Sequence, residues 1–345
     1  MLLRAMRVFV IGGTGFIGPF VVSRLANLGH HVAVYHRGLH EPALPFGVEH
    51  LHSPLAASPV LAFPAEATSL AWDVVLAMAP LAEADASALM RAFRGIARRV
   101  VAVSSGDVYR AYGILQRLEE GPVDESPLRE ETPLRSVLYP YRDAPGIPEH
   151  LRGRGYEKIE VERVVLADPD LPGTILRLPA VYGPGDPQGR FSQTISDLDA
   201  GVPVVLGDSY ARWRWTHGYV ENVADAIVLA VIRERARGRV YNVGEDPTPT
   251  VADRIRELAC AALPVVQALA SGSRGHADSV VVRPDAEAPP GPPGRPRLDQ
   301  PLVYDTSRIR AELDWAEAVS RDEAWRRTLA WERGPGKRTP AGAQA

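Results

Sequence analysis

Short apolar runs alternate with helix-spaced apolar positions along most of the chain. Arg7–Ile11 carries the run VFVI, β-branched and uninterrupted, as a strand covered on both faces requires. Ile17, Val21, Leu25 and Leu28 then share one helical stripe. Gly29 stands where a C-cap belongs, and Pro19 falls in the first turn, where its missing N–H costs little. HVAVY at 31–35 predicts a second strand. WDVVLAM at 72–78, VVAV at 100–103, TILRL at 174–178 and VYNV at 240–243 predict four more. Helical spacing returns at 86–97 and at 157–166, where Ile159, Val161, Val164 and Val165 are apolar. Strands alternating with helices predict an α/β protein with a parallel sheet covered on both faces.

Two stretches break the rhythm. Residues 110–154 are rich in Pro, Tyr and Arg and weakly periodic, and loops of that length are usually functional lids or disordered. Residues 283–301, RPDAEAPPGPPGRPRLDQP, predict an extended connector, and 334–345 a disordered tail.

Composition narrows the function classes. The length of 345 residues suits one large domain or two fused ones. With 39 Lys and Arg against 42 Asp and Glu the net charge is −3, which offers no footprint for nucleic acid or an acidic membrane. The lone Cys260 excludes a disulfide scaffold and a Cys-rich metal site. No apolar run reaches the ~18 residues of a membrane helix. The basic-then-apolar start breaks at Gly12-Gly13, too early for a signal peptide. A soluble, cytoplasmic protein is expected. No HxxEH pattern points to a metal, and no Gly-x-Ser-x-Gly elbow points to a hydrolase.

The chemistry begins between the first strand and the first helix. Gly12, Gly15 and Gly18 are spaced three apart, with Thr14, Phe16 and Ile17 between them. One glycine permits a tight turn after the strand, one lets backbone approach a pyrophosphate, and one lets the helix pack on the sheet. The helix N-terminus then presents unpaired N–H groups to the phosphates. This strand–loop–helix–strand unit predicts dinucleotide binding and a Rossmann-type, doubly wound sheet. At the end of the second strand an Asp or Glu would favour NAD, and an Arg the 2′-phosphate of NADP. The chain reads Tyr35-His36-Arg37-Gly38, with no carboxylate before Glu41. Arg37 therefore leans towards NADP over NAD; the alternative is a solvated arginine that stacks on adenine.

These features, with Ser104-Ser105-Gly106-Asp107-Val108-Tyr109, Lys158 followed by Glu162, Arg177 to Gly185, Tyr219 to Ala226 and Tyr241 to Gly244, resemble the extended short-chain dehydrogenase/reductase family, the NAD-dependent epimerase/dehydratases. Tyr304 to Arg308 and Leu313-Asp314-Trp315 look like the family's closing helix. The resemblance implies a Rossmann domain from 1–182 plus 218–246. It implies a smaller C-terminal α/β substrate domain from 183–217 plus 247–333, with the site in the cleft between. It also implies NAD or NADP as cofactor, a small-molecule substrate that could be a nucleotide sugar, oxidoreductase, isomerase or lyase chemistry, and often a homodimer. The family's catalytic set is a Ser or Thr, a Tyr, and a Lys four residues after that Tyr. The lysine holds the ribose and lowers the phenol's pKa, which is near 10 when unassisted.

The chain departs from that pattern at one position. Ser105 and Lys158 fit, but Arg154 stands where the tyrosine belongs. Tyr156 is two residues before Lys158, on another face of an ideal helix. It could serve if the helix begins there, since Gly153 and Gly155 loosen what precedes it; otherwise it packs the start of the helix. Tyr139 and Tyr141 in the insert are substitutes. Asp107 matches an acid of the family's dehydratases, or it caps a turn. Tyr109, Arg214 and Trp215 are expected at the substrate, with Arg214 meeting a phosphate or carboxylate between aromatic rings, or else lying exposed on an edge strand. His217 reads as structural. The second functional reading, motivated by Arg154, is a degenerate dinucleotide-binding regulator or scaffold.

Overall fold

The computed structural model describes residues 4–53, 62–124, 127–142, 155–262, 279–289, 291, 294 and 296–334. Seven parallel strands form its main sheet. In chain order they are β1 (Arg7–Ile11), β2 (His31–His36), β3 (Glu49–His52), β4 (Val74–Ala77), β5 (Val100–Ser105), β6 (Gly173–Leu178) and β10 (Val240–Asn242). Their spatial order is β10-β6-β5-β4-β1-β2-β3. The order reverses at β1, so the connections leaving β1 and β4 run to opposite faces of the sheet, and Ile11 at the end of β1 pairs with both Tyr35 and Ala77. Two smaller parallel pairs join β7 (Ala180–Tyr182) with β9 (His217–Tyr219), and β8 (Val204–Gly207) with β11 (Val280–Arg283).

The alternation read from the sequence is present with shifted ends. The first helix, α1, spans Gly18–Asn27, and α2 is the single turn Ala65–Thr68. Next, α3 covers Glu83–Phe93, starting three residues earlier than expected, because Asp85 takes the Leu81 and Ala82 amides at its N-terminus. The strand expected at 72–78 shortens to β4, with Trp72 making only an isolated bridge to Ala97. Strand β3 was not expected: its EHLH carries no apolar run, and as the edge strand it is only half-buried.

One side of the sheet packs Val8, Val10, Val34 and Leu76 against Val21, Val22 and Leu25 of α1 and the apolar face of α8 (Val220–Ile232). This cluster continues into α11 (Arg321–Arg333), where Trp325 is buried against Tyr182 with ring centroids 4.5 Å apart. On the other side Phe9, Trp72 and Phe93 pack with Val161 and Val165 of α5 (Lys158–Leu166).

The insert departs from a free lid wherever it is described. It starts as α4 (Arg110–Leu115), and 127–142 is then pinned by Arg135, whose guanidinium pairs with Glu157 at 3.0 Å while both side chains are 0 % exposed. Residues 143–154, including Arg154, lie outside the described residues, as does the tail beyond Gly334. Of the proline-dense stretch, Arg283 closes β11, and the described remainder forms turns and irregular backbone. The remaining α-helices among the described residues are α6 (Ser192–Asp199), α7 (Asp208–Arg212), α9 (Val251–Ala262) and α10 (Ser307–Leu313). Among the described residues no helix is long and apolar enough to cross a membrane.

Candidate active site and dinucleotide cleft

The glycine loop sits at the carboxyl end of β1, beside the point where the strand order reverses. Gly12 turns the chain with φ +81°, and its N–H donates to Tyr35 O at 2.9 Å. A Cβ on Gly18 would stand 2.4 Å from Gly13 O, so α1 starts in direct contact with the loop. A Cβ on Gly15 would meet nothing within 4 Å, and Gly15 is exposed. Thr14, Phe16 and Ile17 are half-buried, Phe16 facing Gly185 across the cleft. Ile17 is the N-cap of α1 and offers no side-chain cap, so the first-turn N–H groups stay free of side-chain partners. Open space over Gly15, a glycine-built contact beneath it and an uncapped helix end fit a dinucleotide's pyrophosphate.

At the tip of β2 the side chains are basic or neutral. Arg37 is exposed, and no described residue bonds its guanidinium. His36 is buried; its Nδ1 accepts from the Gly38 N–H at 3.2 Å, and its Nε2 lies 3.0 Å from His50 Nδ1. Burial, then His52 and His50, lower its pKa. Glu41, the first carboxylate, pairs with His52 at 2.8 Å. His36, Glu41 and His52 could bring ligand atoms within 4.8 Å of one another, but both ring nitrogens of His36 are already engaged.

The second half of the site is built where β5 ends. Ser105 leaves the strand, and a 3-10 turn over Gly106–Val108 follows, with Ser105 Oγ accepting from the Asp107 N–H at 3.3 Å. Helix α5 lies alongside. Its Lys158 donates to Val103 O at 3.1 Å and to Pro80 O at 2.7 Å. One turn on, Glu162 accepts from Ser104 Oγ at 2.6 Å and from Arg177 at 2.7 Å. The segment after β4 joins the two halves, since Met78 and Ala79 border Gly12 and Pro80 holds Lys158.

Tyr156 reaches this site because α5 begins only at Lys158. Glu157 is extended and caps the helix, its carboxylate accepting from the Ile159 N–H at 2.9 Å. The two-residue spacing is therefore not a helical one. The Tyr156 phenol donates to Asp107 Oδ2 at 2.7 Å, and its ring lies 5.7 Å from Lys158 Nζ. Burial raises the phenol's pKa well above 10, Asp107 raises it further, and the facing Ser105 pulls it down. Burial lowers Lys158 to about 8 against the pull of Asp107, Asp85 and Glu162. Asp107 is also buried, and that raises its carboxyl above the usual range despite Tyr156, Arg135 and Tyr141.

Ser105, Asp107, Tyr156 and Lys158 thus converge, and Tyr141 joins them by donating to Asp107 Oδ2 at 3.0 Å. Tyr139 does not; it has φ +57° and its ring lies under Arg142. Tyr109, expected at the substrate, is instead fully buried. Its hydroxyl donates to Asn242 at 2.6 Å and accepts from Arg177 at 3.0 Å, so it holds the sheet to the turn. Arg214 is exposed and donates to Thr248 O at 2.8 Å and 3.0 Å. Trp215 is half-buried, in the apolar cluster that also holds Tyr112 and Tyr304. His217 is buried with Nδ1 on Trp215 O, and burial holds it well below 6.5, as a structural histidine.

Sequence reasoning missed two side chains. Tyr304 comes from the C-terminal segment, and its hydroxyl occupies the volume that a Cβ on Gly106 would need, 1.6 Å from that ideal position. Arg135 donates to Asp107 O and locks the turn to the insert. Arg135 falls in no local motif, and the motif that begins at Tyr304 gives no sign that its hydroxyl reaches Gly106.

Comparison with known proteins agrees with this architecture. Residues 149–244 match the NAD dependent epimerase/dehydratase family. A 2′-dehydrokanamycin reductase of Streptomyces kanamyceticus is 30% identical over 252 residues, which are 71% of this chain and 63% of the reductase. The chain therefore spans somewhat under two thirds of that relative's length. UDP-glucose 4-epimerase from Thermus thermophilus, solved with NAD, superposes with a TM-score of 0.63 at 22% identity, covering 96% of this chain and 100% of that one. The Thermotoga maritima UDP-glucose 4-epimerase, solved with UDP-glucose, gives 0.64 at 19%, covering 95% and 99%. Matched segment, reductase relative and fold all make the chain similar to the NAD dependent epimerase/dehydratase family.

Proposed function

We propose that the protein is an NAD(P)-dependent oxidoreductase that interconverts a carbonyl and a hydroxyl on a small molecule, as a reductase or within an epimerase or dehydratase cycle. The observation that carries this reading is the convergence of Tyr156 on Ser105 and Lys158 despite Arg154 in the usual tyrosine position. A bound nicotinamide dinucleotide would supply or accept hydride. The glycine loop and α1 hold its pyrophosphate, and Arg37 favours the 2′-phosphate of NADP. Ser105 orients the substrate oxygen, and the Tyr156 phenol gives or takes its proton. Trp215, half-buried in the apolar cluster that holds Tyr304, would border the substrate. The similarity to a reductase of an oxidised aminoglycoside favours a ketone on a sugar ring as substrate, with nucleotide sugars second.

The test follows nicotinamide absorbance with NADPH and NADH against 2′-dehydrokanamycin, related keto-aminoglycosides and nucleotide 4-ketosugars. Consumption of NADPH by one ketone, lost in Tyr156→Phe and Lys158→Ala, supports the reading. Dinucleotide binding without any redox change across the panel would favour the regulator instead. Arg37→Ala is expected to weaken NADPH roughly tenfold, about 1.4 kcal/mol, and to leave NADH unchanged.

A further inference from the structure

Tyr156 is not isolated in its role, because its proton is shared. Two phenols from different parts of the chain, Tyr156 at 2.7 Å and Tyr141 at 3.0 Å, converge on one oxygen of Asp107, Oδ2. The other oxygen, Oδ1, is buried with no hydrogen-bond partner. The Tyr141 hydroxyl lies 3.0 Å from that of Tyr112, and Tyr112 is half-buried on α4. A carboxylate this enclosed, with one bare oxygen, has an open position for a proton. Lys158 donates to the Pro80 and Val103 carbonyls, whereas the Tyr156 hydroxyl donates to Asp107.

We propose that Asp107 acts through Tyr156 as the proton store of the site, with Tyr141 and Tyr112 forming the hydroxyl chain that reconnects its carboxyl with solvent. The inference rests on the oxidoreductase reading above. Reduction of a carbonyl consumes one hydride, from a reduced nicotinamide dinucleotide, and one proton. The Tyr156 O–H bond breaks as its proton moves to the substrate oxygen. The phenolate oxygen recovers a proton from the Asp107 carboxyl, which becomes carboxylate. That carboxylate is refilled through Tyr141 and Tyr112 from water, so the protein ends as it began. Oxidation of a hydroxyl runs the same chain backwards. Asp107 is a positioning residue in this scheme, since it need not touch substrate. The groups facing it are Tyr156 and Lys158 at the start of α5, Tyr141 and Arg135 from the insert, Tyr112 on α4 and Tyr304 from the C-terminal segment. Burial raises its pKa, so the protonated store persists above the ordinary carboxylate range.

The experiment compares the full-length protein with Asp107→Asn, Tyr141→Phe and Asp107→Asn/Tyr156→Phe. Tyrosinate absorbance is titrated with alkali, and the buried carboxyl stretch is followed by infrared against pH in D2O. NADPH binding is measured by calorimetry. Without the carboxylate, one phenol is expected to ionise at lower pH in Asp107→Asn, and that phenol is absent from the double variant. A protonated carboxyl band is expected to persist above pH 4 in the wild type, to vanish in Asp107→Asn and to shift in Tyr141→Phe. Turnover of the ketone found above is expected to fall about 10²-fold or more in Asp107→Asn with NADPH affinity kept. Identical phenol titrations in wild type and Asp107→Asn, or no band from Asp107 above pH 4, overturn the store. Wild-type protein that binds no dinucleotide overturns the oxidoreductase reading instead, while the titrations still report on the shared proton.

Discussion

Burial of the Lys158 ammonium lowers its pKa from 10.5 to about 8, which gives this side chain a measurable pH signature. Below about pH 8 folded and unfolded chains both hold the proton. Between about 8 and 10.5 only the unfolded chain does, so stability rises with pH across that window. Lys158→Met lacks this gain. In denaturant unfolding at pH 7 and pH 10, wild type is expected to gain on the order of 3 kcal/mol relative to the variant. A constant difference would show the lysine to be solvated. The glycine loop offers a second contrast between single residues. A methyl on Gly18 collides with Gly13 O, whereas one on Gly15 meets open space. Gly18→Ala is expected to lose ~1–3 kcal/mol of stability. Gly15→Ala is expected to stay within ~0.5 kcal/mol in the same unfolding experiment. It should nevertheless weaken NADPH roughly tenfold by calorimetry, if backbone there meets a pyrophosphate.

Helix α5 shows how an element boundary decides chemistry. Had the helix begun at Arg154, Tyr156 would face away from Lys158. It begins at Lys158 because Glu157 is extended, caps the helix and is held by Arg135 from the insert. The ammonium of Lys158 and the carboxylate of Glu162 then lie one turn apart, fastened to consecutive backbone and side-chain groups of β5. The pattern of apolar positions at 157–166 predicts this helix but not its first residue, since helix ends are set by caps and here the deciding partner is distant in sequence. Arg135→Met leaves the Glu157 charge buried without its partner. It is expected to cost ~3–5 kcal/mol in denaturant unfolding. It should also lower turnover more than NADPH affinity, because the turn carrying Tyr156 loosens while the glycine loop is untouched. Stability within error of wild type would mean that water reaches the pair.

Across the whole molecule, the C-terminal segment completes a site that the first half of the chain begins. Tyr304 fills the space over Gly106, and Leu128 bridges to Tyr304 while Trp215 bridges to Leu302. One apolar cluster also runs from Val8 and Val10 of β1 to Trp325 and Leu329 of α11, so the sheet and the C-terminal helices share a core. Gly106→Ala is therefore expected to destabilise by ~1–3 kcal/mol through a contact nearly two hundred residues away in sequence. Truncating the partner, as Gly106→Ala/Tyr304→Ala, should recover part of the loss in a double-mutant cycle. Additive effects would show that the two residues do not touch.

The sequence by itself was enough for the alternation of strands and helices, the parallel sheet, the glycine loop and the resemblance to the epimerase/dehydratases. Each rests on local patterning, because burial on two faces, a tight turn and a helix start leave their marks within a few neighbouring residues. The placement of Lys158 on α5 was legible for the same reason. The tertiary structure alone decided that Tyr156 joins Ser105, that Tyr109 is sealed in a hydrogen-bonded core and that Arg214 turns to a backbone carbonyl. It alone brought Asp107 to two phenols, and put Tyr304 in place of a side chain at 106. Those outcomes depend on which distant groups meet when the chain closes on itself, and one-dimensional spacing carries no record of such encounters.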